Sequence, residues 1–339
     1  MASILIHVFY PRTEGHIVVR TDHEWERNVD PVGVSDDGTN HVFRIETDRP
    51  WFYFKPFLVI GDETLPSRTA NYLAVMNVVD ERHVHPYFYE DPSPSVRERI
   101  EIPSDIAEMH AFRVFTPPGY YENTIERYPV LYMQDGPNLF FPQEAFAGEH
   151  WRVPETLLTL DSMNLIRKTV VVGIYPNERI DEYTKPGYEE YGRFLVNDLK
   201  PFIDSSYRTL TEPFHTAVMG SSLGGVVSFY IAWQHPDVFG KAACMSSTFG
   251  FRDDLMQRVM SEEKRPIQIY LDSGWPEDNY EATRSMRDLL VRRGYEFGVD
   301  LLYFAFPEAD HNEREWGMRS HIPYQFFFGR GAVRRTERD

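Results

Sequence analysis

The stretch that most constrains this chain is Met219-Gly220-Ser221-Ser222-Leu223-Gly224-Gly225, which follows the apolar run Thr216-Ala217-Val218 and precedes Val226 to Gln234. It reads as a strand, a sharp turn and a helix. The G-x-S-x-G spacing has a mechanical reason: a serine on a strained elbow needs near-zero side chains two residues before and after it, so that the turn closes and the hydroxyl projects. Ser222 is therefore the candidate nucleophile. A Gly/Ser turn that merely caps a helix has the same composition. The context separates the two: a β-rich approach and a long amphipathic exit, Val226-Val227-Ser228-Phe229-Tyr230-Ile231-Ala232-Trp233, stopped by Pro236 and Gly240, suit a nucleophile elbow.

From Glu101 onward, strands alternate with helices around that elbow. Ala111 to Thr116, Tyr128 to Gln134, Thr169 to Ile174, Lys241 to Ser246, Ile267 to Leu271 and Asp300 to Phe306 read as strands. Tyr191 to Ser206 and Ala282 to Arg293 read as helices, the second ended by Gly294. Continuous apolar strands such as Thr169-Val170-Val171-Val172-Gly173-Ile174 imply burial on both faces. The pattern predicts an α/β fold, a mostly parallel sheet covered by helices on both faces, with active residues in loops at the strands' C-terminal ends.

A serine hydroxyl is a weak nucleophile near neutral pH and needs a base, which in turn needs a group to fix its tautomer. In this fold class the chain order is nucleophile, acid, base. Of the 12 histidines, His311 directly follows the strand ending at Phe306, with His321 in reserve; His235 ends the elbow helix and points away. The loop after Leu271 offers Asp272, Glu277 and Asp278. Asp278 is the preferred acid because it lies several residues beyond the strand, where it can turn back toward the imidazole, and Glu277 is the close rival. Asp278 or Asn279 could instead cap the following helix.

The first hundred residues have a different grammar: short β-like runs at Ile4–Tyr10, 15–20, 42–46, 51–60 and 71–78, separated by turn clusters such as Asp36-Asp37-Gly38, with no long helical period. This predicts a β-sandwich. Glu90-Asp91-Pro92-Ser93-Pro94-Ser95 reads as the linker, which gives two domains, 1–100 and 101–339. Trp51-Phe52-Tyr53-Phe54 reads as sandwich core rather than a sugar-stacking strip. His83 and His85, at i and i+2, supply too few ligands for a metal, and no further Cys/His spacing completes a site nearby.

With 35 basic against 52 acidic residues the net charge is −17, which repels phosphate backbones and anionic lipid and so argues against nucleic-acid and membrane partners. The acidic balance also disfavours a highly anionic substrate unless Arg152 or Arg179 builds a local basic pocket. Cys244 is the sole cysteine and sits in an apolar run, as an inert buried thiol would. The start of the chain lacks the basic and apolar segments of a signal peptide, and no run approaches a membrane span, so the expectation is a cytoplasmic protein.

Five stretches together resemble the putative-esterase branch of the α/β hydrolases, which includes enterochelin esterase, esterase D, feruloyl and acetylxylan esterases and the mycolyltransferases. They are Val130 through Asp135-Gly136 to Phe140; Val171 to Ile174 with Arg179, Glu182 and Tyr183; Phe194-Leu195 through Pro201 to Thr209; the elbow 220–225; and Ala309 to Glu313. The N-terminal region is similar to the immunoglobulin-like β-sandwich that precedes the hydrolase domain in enterochelin-esterase-like proteins, on Phe54-Lys55-Pro56, Asn71-Tyr72-Leu73 and His85-Pro86-Tyr87-Phe88. In relatives such a module can shape the active-site mouth or pair subunits, which leaves a homo-oligomer open.

The resemblance implies a serine esterase acting through an acyl-enzyme on a small ester, aromatic or sugar-linked, with no metal or organic cofactor. Trp151, Trp275 and Trp316 fall in loops expected to rim the site, which suits an aromatic or sugar-linked substrate, with Arg179 as a further substrate contact. The oxyanion hole would take one N–H from Leu223. In similar proteins the second donor follows the Asp-Gly pair, but here that residue is Pro137, which has no N–H. Gly136 or Asn138 then fills the role, or the hole is one donor short. Two other readings use the same residues differently: an acyltransferase with the same triad, and a non-catalytic glycan- or partner-binding protein on a hydrolase fold.

Overall fold

The structure is a computed structural model and describes residues 2–11, 14–76, 81–104 and 107–330. It separates into two units. One comprises Met1–Ser95, Pro117–Arg127 and Asp161–Asn164, and the other Val96–Thr116, Tyr128–Leu160 and Leu165–Asp339. The chain thus returns twice to the first unit after leaving it.

Alternation along the strands builds the first unit. Phe52 and Phe54 are fully buried while Trp51 and Tyr53 are exposed, the period-two rule of a half-buried strand. The strands are β1 (Ala2–Phe9), β2 (His16–Thr21), β3 (Glu24–Val29), β4 (Gly33–Val34), β5 (Asn40–Thr47), β6 (Trp51–Ile60), β7 (Glu63–Pro66), β8 (Tyr72–Val75) and β9 (Glu81–Val84). They form one sheet in the order β4-β5-β1-β9 and another in the order β3-β2-β6-β7, with β8 also pairing β6. Ile4, Ile6, Val8, Val19, Phe43, Phe52, Phe54 and Leu58 fill the space between. The run expected to reach Val78 is strand only over Tyr72–Val75, and residues 77 and 78 lie outside those described. The Pro/Ser-rich stretch does not begin as loose chain. Glu90 Oε2 accepts from the backbone N–H groups of Tyr121 and Glu122, while the Glu122 carboxylate accepts from those of Phe88, Tyr89 and Glu90.

The second unit carries β10 (Ser95–Val96), β11 (Ile100–Ser104), β12 (Ala107–Thr116), β13 (Val130–Met133), β14 (Val170–Tyr175), β15 (Thr216–Ser221), β16 (Lys241–Met245), β17 (Gln268–Trp275) and β18 (Leu301–Pro307). Their order is β10-β12-β14-β13-β15-β16-β17-β18, with β11 beside β12. From β14 through β18 every pairing is parallel. Helices α1 (Val153–Ser162), α2 (Arg179–Tyr183), α3 (Gly187–Phe194), α4 (Lys200–Ser206), α5 (Leu223–Gln234), α6 (Leu255–Ser261), α7 (Tyr280–Arg292), α8 (Glu313–Arg319) and α9 (His321–Phe328) accompany the sheet. This is the α/β architecture the strand-helix alternation predicts. After β13 the chain adds β14 on one side, and the later strands build outward from its other side. The strand order therefore reverses between β13 and β15, and such switch points open a crevice at the strands' C-terminal ends.

Two elements differ from their sequence reading. Helix α5 is buried over its whole length from Leu223 to Trp233, not amphipathic, because before Gln234 it carries no charged residue and its two hydroxyls, on Ser228 and Tyr230, are set among apolar side chains. The helix expected from Tyr191 to Ser206 passes through a π turn at Leu195–Leu199, where Lys200 N–H reaches Leu195 O. Pro201 has no N–H to continue an i to i−4 ladder, and the wider turn accommodates it. No helix among the described residues is long and apolar enough to cross a membrane.

Candidate active site

Strand β15 ends at Ser221 and α5 begins at Leu223, so Ser222 alone makes the turn, at φ 56° and ψ −123°. That conformation is strained for any residue with a Cβ. The neighbours explain why it is held. A Cβ at Gly220 would lie 2.5 Å from the Gly224 backbone, and one at Gly225 would overlap Ser247 Oγ at 2.0 Å. Ser222 N–H donates to Met245 O at 2.9 Å, which ties the elbow to β16. Ser221 is buried, whereas Ser222 is partly open to solvent.

His311 lies in the loop between β18 and α8. Its Nε2 accepts from Ser222 Oγ at 3.0 Å, and its Nδ1–H donates to Asp278 Oδ1 at 2.5 Å. Asp278 and Asn279 both take left-handed backbone, φ 58° and 61°, in the turn between β17 and α7. Asp278 Oδ2 accepts from Gly274 N–H at 2.6 Å and from Ser246 Oγ at 2.5 Å. Burial alone would raise the Asp278 pKa. The bonds from His311, Ser246 and Gly274 outweigh it and hold the carboxylate below its ordinary range, ionised and fixed on the imidazole.

Ser246 is the hub beneath this pair. Its hydroxyl donates to Asp278 and accepts from Trp316 Nε1 at 2.9 Å and from Arg319 Nη2 at 3.0 Å, which uses its one donor and both lone pairs. Arg319 also reaches Asp272 Oδ1 at 3.2 Å and stands 3.9 Å from Asp278 Oδ2. Asp272 is fully buried, and burial raises its pKa to about 6 against the pull of Arg319 and of the Tyr270 hydroxyl, which donates to it at 2.7 Å. His311 stands edge-on to Trp316, with ring centroids 4.8 Å apart.

On the other side of the elbow, Asp135 takes left-handed backbone at φ 54° and starts a single 3-10 turn, Gly136–Asn138. Arg179 grips the Asp135 carboxylate with two hydrogen bonds, Nε to Oδ1 at 2.7 Å and Nη2 to Oδ2 at 2.8 Å. A Cβ at Gly136 would come within 2.8 Å of Gly173 O, and one at Gly224 within 3.1 Å of Asp135 Oδ2. Glycine at both positions lets this loop and the start of α5 approach closely. Pro137 sits in the turn, and Asn138 is anchored through its side chain to Glu313 Oε1 and Phe146 N.

The family model described as "Putative esterase" matches residues 105–317, well over half of the chain. The chain belongs to the Putative esterase family. Among curated proteins it resembles two from Bacillus subtilis (strain 168), both described as uncharacterized. YbbA is 28% identical over 159 residues, covering 42% of this chain and 58% of that protein. YjcH is 27% identical over 238 residues, covering 66% of this chain and 92% of that protein. The chain thus spans less than two thirds of the length of YbbA. Among solved structures, a ferulic acid esterase aligns with TM-score 0.59 at 18% identity, over 69% of this chain and 98% of that one. The ferric enterobactin esterase of Salmonella typhimurium aligns with TM-score 0.56 at 13% identity, over 96% of this chain and 93% of that one. At these identities the likeness to the two structures is one of fold.

In this family member, the residues singled out from sequence fall in different places. Ser222, Asp278 and His311 come together, Leu223 opens α5, and Gly136 lies in the facing loop. Glu277 is exposed and has no hydrogen bond to His311 among those described, while His321 is spent on Met318 O at 2.9 Å. Asp272 is not in a loop as expected, because β17 runs on to Trp275 and buries it. Trp275 is half exposed and stands edge-on to Tyr280. Trp151 and Trp316 pack in the core, tilted against each other, instead of presenting their rings to solvent. Arg179 is engaged by Asp135. Ser246 and Arg319 were missed, since no motif or spacing points to them. Their one sequence signal is a polar residue at the end of an apolar strand and an arginine on an otherwise buried helix face.

Proposed function

We propose that this chain is a serine-dependent carboxylic-ester hydrolase that works through an acyl-enzyme on Ser222. The observation that carries this reading is the unbroken relay from Ser222 Oγ through His311 to Asp278 at a strained elbow. As Oγ attacks the ester carbonyl, its proton passes to His311 Nε2, and Asp278 stabilises the imidazolium. Leu223 N–H, at the positive end of α5, and Gly136 N–H, from the loop that Arg179 braces, serve as oxyanion donors. The imidazolium then protonates the leaving alkoxide, water enters by the same route in reverse, and the acid is released.

The substrate class is a small ester with an aromatic or sugar-linked group. Support comes from the structural relatives, named for ferulic acid and for ferric enterobactin, and from the exposed apolar side chains of Trp275 and Phe251. Phe251 lies in the loop after β16, whose Thr248 N–H reaches Ser222 O at 3.4 Å. The test is turnover of p-nitrophenyl acetate and of an alkyl hydroxycinnamate by the purified chain. Turnover lost in Ser222→Ala supports the reading, and turnover unchanged in that variant removes it. Product analysis with an added alcohol separates hydrolysis from acyl transfer.

A further inference from the structure

Strands β1 and β9 pair in parallel with His7 opposite His83. Ile4, Ile6, Val8 and Val84 point into the core of the first unit, so His7, Glu81 and His83 share the outer face of the sheet. Glu81 Oε2 lies 3.3 Å from His83 Nε2 and 3.8 Å from His7 Nε2, and the three donor atoms all fall within 4.8 Å of one another. Among the described residues they are the one group of three that could hold a metal ion. Tetrahedral zinc, with bonds of about 2.0–2.1 Å, sets its ligand atoms roughly 3.3 Å apart. The Glu81–His83 edge already has that length, and the Glu81–His7 edge, at 3.8 Å, is about 0.5 Å longer.

We propose that His7, Glu81 and His83 form a binding site for a divalent first-row transition metal, Zn²⁺ in particular, on the outer face of this sheet. His7 carries the case beyond proximity. Its side chain is 16% exposed, yet its Nε2 is buried and has no hydrogen-bond partner among the described residues. A buried ring nitrogen without a partner is costly, and a cation placed between the three donors satisfies it together with the carboxylate.

The other side of the ring supplies the orienting contact. His7 Nδ1 lies 3.2 Å from the Asn40 side-chain amide, whose Oδ1 is likewise buried without a partner among the described residues. Turning that amide over lets Oδ1 accept from Nδ1–H. That fixes the tautomer whose Nε2 lone pair faces Glu81 and His83, as the outer hydrogen bonds of metal-binding histidines do. Phe9 packs beside His7 and edge-on to His83 and restricts both rings. Two imidazoles with one carboxylate favour zinc, nickel or copper over calcium or magnesium, which prefer all-oxygen sites. Three protein ligands leave a fourth position for water or an external donor.

The experiment is calorimetric titration of the tag-free, chelator-stripped full chain with ZnCl₂, repeated with CoCl₂ followed by its visible spectrum. One equivalent bound, with the intense absorption of tetrahedral cobalt, is the expected result. His83→Ala and Glu81→Gln, on exposed side chains, should each weaken binding at least tenfold, and Asn40→Ala by about tenfold. His85→Ala should leave binding unchanged, and so should Ser222→Ala. Failure to bind one equivalent, or binding that survives the His7→Ala/His83→Ala double variant, would overturn the site; loss in His85→Ala would overturn the ligand set.

Discussion

Two arginine–aspartate pairs flank the elbow, and they are built for different tasks. Arg319 and Asp272 are 5% and 0% exposed and lie beneath the acid–base relay. Arg179 and Asp135 are 38% and 13% exposed and brace the loop that carries Gly136. Burying the first pair carries a desolvation cost that mutual attraction does not repay unless further hydrogen bonds complete the site, and here Ser246 and Tyr270 supply them. The second pair keeps part of its hydration through Arg179 and uses a planar two-point grip to set a loop. One arginine sits buried against Asp272 and the Ser246 hub. The other holds a loop nearer the surface, and the contrast predicts unequal penalties when each is cut.

The largest effect falls on the relay that the buried side supports. Asp278→Asn should lower kcat by about 10⁴, because the amide leaves His311 in the wrong tautomer, while exposed Glu277→Gln should cost little. Reversed ranking in steady-state kinetics would move the orienting role to Glu277. Next, Arg319→Met should lower unfolding free energy in urea by about 3–5 kcal/mol, since it strands Asp272 in the interior. Arg179→Met should cost about 1 kcal/mol or less, the ordinary value of a solvent-screened pair. Equal losses in the two variants would break the comparison.

A pH experiment sharpens it. Asp272 ionises near 3.8 when unfolded and at about 6 when folded. Between those values the folded chain keeps a proton that the unfolded chain has released, so raising the pH weakens folding through this group. Relative to Asp272→Asn, wild-type stability should therefore fall from about pH 4 to 6, by roughly 3 kcal/mol at most. A flat or rising difference would mean that Arg319 neutralises Asp272 fully.

Much of the relay was legible because its signals are local. The elbow glycines, the histidine after β18 and the carboxylate after β17 each sit at a strand end with the residue type the chemistry needs. The parallel sheet was legible from apolar runs such as Val170-Val171-Val172. What supports the relay was not, because Ser246 meets Trp316 and Arg319 across 70 and 73 positions and only the fold joins them. Trp151 and Trp316 were expected in loops at the rim, but Trp316 lies within α8 and both rings pack into the core. The His7–Glu81–His83 cluster is the same lesson in the sandwich. Of the two histidines two apart, His83 and His85, the first alone belongs to it, and strand register, invisible in spacing, brings His7 opposite.

The most direct measurement is covalent: treatment of the full chain with a fluorophosphonate, followed by intact-mass and peptide mass spectrometry. A single adduct on Ser222, abolished by His311→Ala and slowed strongly by Asp278→Asn, is the predicted result. An adduct on Ser221, or labelling of Ser222 that proceeds at the same rate without His311, would contradict the relay.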